Sequence, residues 1–239
     1  MDVVRQWIRE ARSIAVLTGA GVSAESGVPT FRDALTGLWA RFDPRELATE
    51  DAFRAHPQRV WDWYAERRQA LAGVEPNAGH RALAAFQARH PGRMTLITQN
   101  VDGLHQRAGS TVLALHGDLC TARWLDDPKP CCTRRPPQPG RPPRCATCGN
   151  CRRPAVVWFG EALPEAELMA AEAVAESCDL MLVVGTSGEV YPAAGLVHQA
   201  HLAGSRVVIV NPESSALDGL ADAQVRERAA QCLPLLLED

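Results

Sequence analysis

Residues 16–32 read VLTGAGVSAESGVPTFR, in which an apolar run passes into a loop of small residues. Together with the two residues before it, the run predicts a buried strand, IAVLT, over 14–18. After it, residues 19–24 fit G-x-G-x-x-G/A, a turn whose backbone N–H groups approach a pyrophosphate at a helix N-terminus. Glycine pairs after strands also make plain tight turns, so this spacing alone leaves both interpretations open. The acid that a dehydrogenase carries about 20 residues later is missing, which disfavours that class.

Four further apolar runs predict strands: MTLIT (94–98), TVLAL (111–115), LMLVVG (180–185) and RVVIV (206–210). They are continuous rather than alternating, as is typical of a parallel sheet that helices cover on both faces. Apolar residues at three- and four-residue spacing predict helices over 77–90 and 164–177. This alternation predicts an α/β fold with a doubly wound, Rossmann-like parallel sheet.

Two segments interrupt the alternation. Residues 38–72 are polar with a helical pattern, and residues 118–154 are rich in prolines and cysteines, which leave little room for regular structure. We interpret both as insertions that together make a smaller module, helical in its first part and zinc-ribbon-like in its second. The chain is then a single domain over 1–239, with its Rossmann-like core at about 1–37, 73–117 and 155–239.

The composition is that of an ordinary globular protein. The chain has 239 residues, of which 46% are hydrophobic and 22% charged, and its net charge of −3 gives no reason to expect direct binding to nucleic acid. No apolar run approaches the 18 residues of a membrane span, and the N-terminus lacks the apolar core of a signal peptide. We therefore expect a cytoplasmic protein with no membrane partner, and a monomer.

Seven motifs occur in one order: GAGVSAESGVPTFR (19–32), TQNVDGLH (98–105), LHG (115–117), VVWFGE (156–161), VGTS (184–187), VYPAA (190–194) and NPE (211–213). Together they resemble the sirtuins, the NAD-dependent protein lysine deacylases, over residues 11 to about 236. In that family NAD is a consumed co-substrate, so the chain needs no hydride acceptor.

The resemblance implies an NAD site in three parts. The first loop surrounds the phosphates. The end of that loop and the second motif line the pocket for the nicotinamide and its ribose. Two later loops hold the adenosine half. The implied residues are Gly19, Ala20, Gly21, Ser23 and Glu25; then Phe31, Arg32, Gln99, Asn100, Asp102 and His116; then Gly185, Thr186, Ser187, Asn211, Glu213 and Ala229.

His116 and Asn100 are the implied catalytic residues. His116 follows the TVLAL strand, and its near-neutral unperturbed pKa suits a base that accepts a proton from a ribose hydroxyl, after the acyl oxygen has attacked the anomeric carbon and expelled nicotinamide. The products would be free lysine, nicotinamide and an O-acyl-ADP-ribose. Mono-ADP-ribosyl transfer or NAD hydrolysis in the same pocket is the alternative, and a non-catalytic NAD sensor is a third.

The resemblance also implies how the acyl-lysine protein or peptide binds. It would add as a strand between two edges, formed by Val157, Trp158 and Phe159 and by Glu189, Val190 and Tyr191. Tyr64-Ala65-Glu66-Arg67 matches the Tyr-x-x-Arg pair of the sirtuin subclass that removes succinyl, malonyl and glutaryl groups. Residues three apart share a helix face, and a guanidinium beside a phenol can hydrogen-bond the carboxylate that an acetyl group lacks.

Five of the eight cysteines lie between positions 131 and 151, which favours a metal site over disulfides. Cys145 and Cys148 form a Cys-x-x-Cys pair suited to structural zinc. The family's first pair is degraded here, because Trp124, Asp126 and Asp127 stand where a cysteine is expected. Cys131 and Cys132 are the nearest substitutes, with Cys120 and Cys151 also available. Two adjacent cysteines can chelate one ion only with strain, so we expect one of them to act with another residue.

Overall fold

The computed structural model describes residues 1–29 and 46–238. Their strands are β1 (Ile14–Thr18), β2 (Met94–Thr98), β3 (Val112–Ala114), β4 (Gly117–Trp124), β5 (Arg152–Val156), β6 (Leu180–Val184), β7 (Arg206–Val210) and β8 (Ala223–Val225). Their α-helices are α1 (Asp2–Glu10), α2 (Glu50–Ala55), α3 (Pro57–Leu71), α4 (Ala78–Arg89), α5 (Leu104–Arg107), α6 (Pro130–Arg134), α7 (Glu165–Ser177), α8 (Gly195–Leu202) and α9 (Ala229–Leu236). Short 3-10 helices span Ala20–Ser26 and Asp218–Leu220.

Six strands form one parallel sheet in the order β3-β2-β1-β6-β7-β8. All five residues of β1 are buried, and the first four alternate between two cores. Ile14 and Val16 pack into the core on one face, whereas Ala15 and Leu17 pack into the core on the other. Both faces of the sheet are therefore covered, which confirms the doubly wound α/β fold and explains why its strands are continuously apolar.

The strand order reverses beside β1. The chain moves from β1 to β2 and β3 on one side, and then returns to place β6, β7 and β8 on the other. At such a switch point the loops after neighbouring strands run in opposite directions, and a crevice opens at the carboxyl ends of the strands. The loops after β1 and β6 lie at this crevice.

The smaller module has its own core, and its second part is more regular than the sequence predicts. The prolines and cysteines of 118–154 indicated little regular structure, but β4 and β5 form an antiparallel pair that begins at Gly117↔Val156, and α6 lies between them. The prediction was wrong because the paired strands are far apart in sequence. The module core is formed by Leu47, Phe53, Val60, Tyr64, Leu119, Cys151, Val156 and Trp158.

Three differences concern the parallel sheet. The structure adds β8, which the sequence did not indicate, shortens the TVLAL strand to Val112–Ala114 and ends the LMLVVG strand at Val184. The edge strand β8 has too few residues for an apolar pattern, and the edge strand β3 is short because it pairs with β2 over three residues only. Within 1–29 and 46–238, no helix combines the length and the apolar character that a bilayer crossing requires.

Candidate functional site

The loops after β1 and β6 touch backbone to backbone at the switch point. The Gly21 amide donates to the Gly185 carbonyl oxygen over 2.8 Å, and the Gly19 amide donates to Val184 over 3.0 Å. A Cβ at Gly21 would lie 2.8 Å from the Gly185 Cα, and Gly185 itself has a φ of 61°. Glycine is thus required at both positions for loop packing, in addition to the phosphate approach that the sequence predicts.

Asn100 and Asp102, both predicted at the nicotinamide pocket, join the first loop through Ser23. The Asn100 Nδ2 donates to the Gly19 carbonyl oxygen at 3.0 Å and to the Ser23 hydroxyl at 3.3 Å. Ser23 in turn donates to the Asp102 carboxylate over 2.7 Å. These contacts hold the end of β2 against the loop after β1, so four predicted site residues lie in one place.

A buried histidine that the sequence analysis missed completes this arrangement. The Asn77 backbone amide donates to His80 Nδ1 at 3.3 Å, so the neutral ring carries its proton on Nε2. That proton points at the Ser23 hydroxyl, 3.3 Å away. Ser23 therefore accepts from His80 and donates to Asp102, and the direction of its hydroxyl is determined. The signal was present in Asn77-x-x-His80, a capping box at the start of α4.

His105, in the second motif, is the other buried histidine of this region. Its Nε2 lies 3.0 Å from the Thr18 hydroxyl, whose single proton is donated to the Thr98 hydroxyl over 2.9 Å. Its Nδ1 is buried without a hydrogen-bond partner in the described part of the chain. The His80 and His105 ring centroids are 4.7 Å apart. Burial is the main cause that lowers the pKa of His80 to about 4 and that of His105 to about 3.

These two histidines predict acid sensitivity. In the unfolded chain both have a pKa near 6.5, so between about pH 4 and pH 6.5 the unfolded state binds more protons than the folded one. The free energy of unfolding should therefore fall as the pH falls below about 6.5, by about 1.4 kcal/mol per pH unit for each histidine. Urea unfolding at pH 7, 6 and 5 measures the slope. His80→Gln should reduce it, and the exposed His201→Ala should not. A stability that stays flat from pH 6.5 to pH 5 would contradict the assignment.

His116 lies at the end of the crevice with one ring nitrogen engaged. Its Nδ1 is 2.9 Å from the Gln99 carbonyl oxygen, which can only accept, so the neutral ring places its proton on Nδ1. The lone pair of Nε2 is then the basic site. Burial, as the larger cause, lowers the His116 pKa, and the hydrogen bond to Gln99 opposes this shift. The ring is therefore neutral at pH 7, as a general base must be.

The predicted adenosine side is assembled around Thr186. Its hydroxyl accepts from Gln99 Nε2 at 3.1 Å, and its carbonyl oxygen accepts from Asn211 Nδ2 at 3.2 Å. Ser187 follows Thr186 on the same loop, and its carbonyl oxygen accepts from the Ala216 amide. The ends of β2, β6 and β7 are thereby linked.

Of the residues that the structure describes, the remaining ones that the sequence predicts for the NAD site are not part of the hydrogen bonds around Ser23 and Thr186. Glu213 is exposed, and Ala229 is buried at the first turn of α9. Glu25 accepts from the Ala230 backbone amide over 2.7 Å, so its carboxylate lies at the N-terminus of α9. Ala20 is half-buried at the start of the first 3-10 helix. Phe31 and Arg32 lie outside the described residues.

The two predicted peptide edges are described by their backbone hydrogen bonds and by their exposure. All three amides of the first edge are engaged within the chain: Val157 donates to His116, Trp158 to Glu161 and Phe159 to Ala48, over 2.8–2.9 Å. An added strand would therefore meet acceptors rather than donors on this side. The bond from Val157 places this edge directly beside His116. On the second edge, Glu189, Val190 and Tyr191 are exposed.

Tyr64 and Arg67 lie three residues apart on α3, as predicted, and Tyr64 is buried whereas Arg67 is half-buried. Tyr64 is 5% exposed, and burial raises the pKa of its hydroxyl to about 12. Burial lowers the pKa of Arg67, whose guanidinium lies 4.7 Å from the centre of the Trp63 ring. The Tyr64 hydroxyl accepts from the Trp158 indole over 2.9 Å. The acyl-pocket pair is therefore connected to the first peptide edge.

Four thiols lie close together in the smaller module. Their positions differ from the expectation that only one of the adjacent Cys131 and Cys132 takes part. The Sγ atoms of Cys131, Cys132, Cys145 and Cys148 all lie within 4.8 Å of one another. Both adjacent cysteines thus join the cluster, because α6 begins at Pro130 and directs the two side chains to it, whereas we expected only one. Cys120 and Cys151 are not members of it.

The donor set of this cluster fits zinc. Tetrahedral coordination by four thiolates at ~2.3 Å separates the sulfurs by roughly 3.8 Å, and the Sγ atoms of Cys132 and Cys148 are 3.4 Å apart. The backbone amides of Cys148 and Thr147 donate to the Cys145 sulfur and lower the pKa of that thiol to about 7. These two backbone N–H groups thus stabilise the thiolate form of Cys145. The site is closed, with protein ligands only, as in structural zinc sites.

Metal analysis tests this cluster directly. Freshly purified protein should contain about one zinc per chain. Cys148→Ser should lose that metal and lower the thermal midpoint, because three remaining thiols leave the tetrahedron open. Cys120→Ser, at an exposed cysteine outside the cluster, is the matched control and should retain it. Equal zinc contents in the two variants would contradict the ligand set.

Comparisons with known proteins agree on one family. The Sir2 family profile matches residues 19–192. The NAD-dependent protein deacylase of Ralstonia nicotianae is 58% identical over 234 residues, covering 98% of this chain and 94% of the relative. The protein of the same name from Methylococcus capsulatus is 51% identical over 239 residues, covering 97% and 93%.

Solved structures show the same similarity. A Sir2 homologue in complex with NAD is 40% identical, with a TM-score of 0.86, covering 99% of this chain and 92% of that one. A Sir2–p53 peptide–NAD+ complex is 29% identical, with a TM-score of 0.81, covering 97% and 95%.

Proposed function

This chain belongs to the Sir2 family and is an NAD-dependent protein deacylase, and we propose that it removes acidic acyl groups, such as succinyl and malonyl, as well as acetyl groups from lysine. The observation that carries this proposal is the pair of buried Tyr64 and half-buried Arg67 on α3, joined to the peptide edge through Trp158.

The residues of the crevice fit NAD. Glycine loops meet at the switch point of the parallel sheet, and amide, carboxylate and hydroxyl side chains surround them. When bound, NAD supplies an anomeric carbon that loses nicotinamide and accepts the acyl oxygen of the substrate. The residues proposed to hold it are those of the first loop, Gln99 to Asp102, and the loops of Thr186 and Asn211.

In the proposed reaction, residues of this chain orient the reacting groups, and His116 accepts one proton. Asn100 is held by Gly19 and Ser23, so its amide is positioned before a ligand arrives. His116, with its proton on Nδ1, offers Nε2 as the acceptor for a ribose hydroxyl proton. The first peptide edge, bonded to the His116 carbonyl oxygen, brings the acyl-lysine to that base.

The acyl pocket favours a carboxylate for an electrostatic reason. Burial removes water from Tyr64 and part of the water from Arg67, so a charged acyl end must recover its hydration from protein donors. A phenol and a guanidinium supply such donors, and hydrogen bonds to charged groups are about twice as strong as neutral ones. An acetyl group gains nothing from either side chain.

One assay tests the proposal. The protein is incubated with NAD and with peptides of one sequence that carry acetyl-, succinyl- or unmodified lysine, and nicotinamide and O-acyl-ADP-ribose are followed by mass spectrometry. Stoichiometric nicotinamide and O-succinyl-ADP-ribose from the succinyl peptide would support it. O-acetyl-ADP-ribose alone would refute the acidic-acyl part. Nicotinamide release that ignores the peptide would instead favour NAD hydrolysis or ADP-ribosyl transfer.

A further inference from the structure

The Trp158 side chain lies between Tyr64, a residue of the proposed acyl pocket, and the ion pair of the buried Arg153 with Glu161. Trp158 is 2% exposed, and its indole Nε1 lies 2.9 Å from the Tyr64 hydroxyl oxygen. We propose that Trp158 is a positioning residue that fixes the direction in which Tyr64 donates its hydroxyl proton, and thereby sets the preference for acyl groups that end in a hydrogen-bond acceptor. This proposal rests on the proposed acidic-acyl activity and deepens it.

The chemistry of the two groups determines the direction of the hydrogen bond. An indole N–H is a donor only, so the Tyr64 oxygen must accept from Trp158. A phenolic O–H prefers the plane of its ring and has two orientations there. The indole occupies one of them, so the Tyr64 proton must point to the other side. No second partner of this hydroxyl lies among residues 1–29 and 46–238, and its proton is free to meet a ligand.

A buried arginine holds the indole in place. The Arg153 side chain is 1% exposed, and its guanidinium carbon lies 3.3 Å from the centre of a Trp158 ring. It donates to the Val156 carbonyl oxygen over 2.8 Å and pairs through both terminal nitrogens with the Glu161 carboxylate. Because a buried charge is costly unless it is paired and hydrogen-bonded, this arrangement has few alternative geometries.

Glu161 extends this restraint to the main chain. Its Oε2 accepts from the Trp158 backbone amide over 2.8 Å, so Trp158 is held at its backbone by Glu161 and below its ring by Arg153. Phe53 packs on the same indole, with ring centroids 5.3 Å apart. The donor that orients Tyr64 is therefore fixed before substrate binds.

The consequence is a hydroxyl that is arranged in advance for a carboxylate. An acceptor entering the pocket finds the Tyr64 proton already directed and loses less entropy in binding it. The raised pKa of Tyr64 keeps that proton on the oxygen at neutral pH. Without the indole, the O–H would rotate between two orientations. Binding of an acceptor would then restrict the O–H to one orientation, at a cost in entropy. An acetyl group, which has no terminal acceptor, is indifferent to this direction.

A double-mutant cycle tests the proposal. The measured quantity is the ratio of kcat/KM for a succinyl peptide to kcat/KM for the acetyl peptide of the same sequence, because peptide binding by the Trp158 main chain affects both. Trp158→Phe keeps an aromatic ring without the N–H and should lower the ratio about twofold, through KM for the succinyl peptide, because the Tyr64 O–H is then divided between two orientations. Adding it to Tyr64→Phe should lower the ratio no further. Trp61→Phe, a half-buried tryptophan on α3, should leave the ratio unchanged.

The outcomes separate the two proposals. An unaltered enzyme that fails to turn over succinyl peptide refutes the acidic-acyl function, and this inference with it. An active enzyme whose ratio is unchanged by Trp158→Phe, or whose double variant shows additive losses, refutes this inference alone.

A spectroscopic measurement does not depend on the folding of Trp158→Phe. In protein labelled with 15N-tryptophan, Tyr64→Phe should shift one of the six indole N–H signals and accelerate its hydrogen exchange. An indole spectrum unchanged by Tyr64→Phe would overturn the proposal.

Discussion

Replacing His116 with alanine is expected to lower kcat/KM for deacylation by about 100- to 10,000-fold, the range that general bases contribute. The ring offers a single basic nitrogen, because the Gln99 carbonyl oxygen holds the proton on the other. Alanine keeps the backbone carbonyl to which Val157 donates, so the peptide edge should survive. The measurement is O-acyl-ADP-ribose formation at pH 7.5 under saturating NAD.

A second histidine variant is the control for His116→Ala. His201→Ala removes an exposed histidine near the end of α8 and should leave kcat/KM unchanged. In the unaltered enzyme, the lowered His116 pKa places the acid limb of the kcat/KM profile below pH 6.5, because the base is lost only when the ring gains a proton. A His116→Ala enzyme with activity within a few-fold of the original would contradict the base assignment.

Combining Tyr64→Phe with Arg67→Met is expected to reduce desuccinylation by at least about 100-fold more than deacetylation. The estimate follows from the loss of two hydrogen bonds to a charged group, each contributing about 1.5–3 kcal/mol. Both replacements keep most of the apolar volume, so the module core around Tyr64 should still pack. Steady-state kinetics with paired succinyl and acetyl peptides measure the difference.

Arg68→Met is the matched control for that pair. Arg68 is the next residue on α3, and its guanidinium stacks over Trp61 instead of Trp63. It lacks the three-residue spacing from Tyr64 and should change both activities to the same extent. If the double variant lost deacetylation and desuccinylation equally, the pair would be a structural element of α3 and the carboxylate clamp would be abandoned.

Local patterns predicted much of this protein. The strands over 14–18, 94–98 and 206–210 begin and end at the predicted residues, because each is a continuous apolar run that two helical layers bury. The two predicted helices are shortened by one residue at one or both ends. The motif order identified the family, which the comparisons confirm. The roles of individual site residues stay predictions that the variants above test.

The sequence by itself determined the α/β class, the family and the residues to inspect, because apolar periodicity and motif order are properties of neighbouring positions. Tertiary structure alone decided three things: the pairing of β4 with β5, the joining of Cys131 and Cys132 to Cys145 and Cys148, and the Arg153–Trp158–Tyr64 arrangement. The physical reason is the same in each case. Hydrogen bonds and metal geometry depend on distances between residues far apart in the chain, which only the folding of the intervening residues sets.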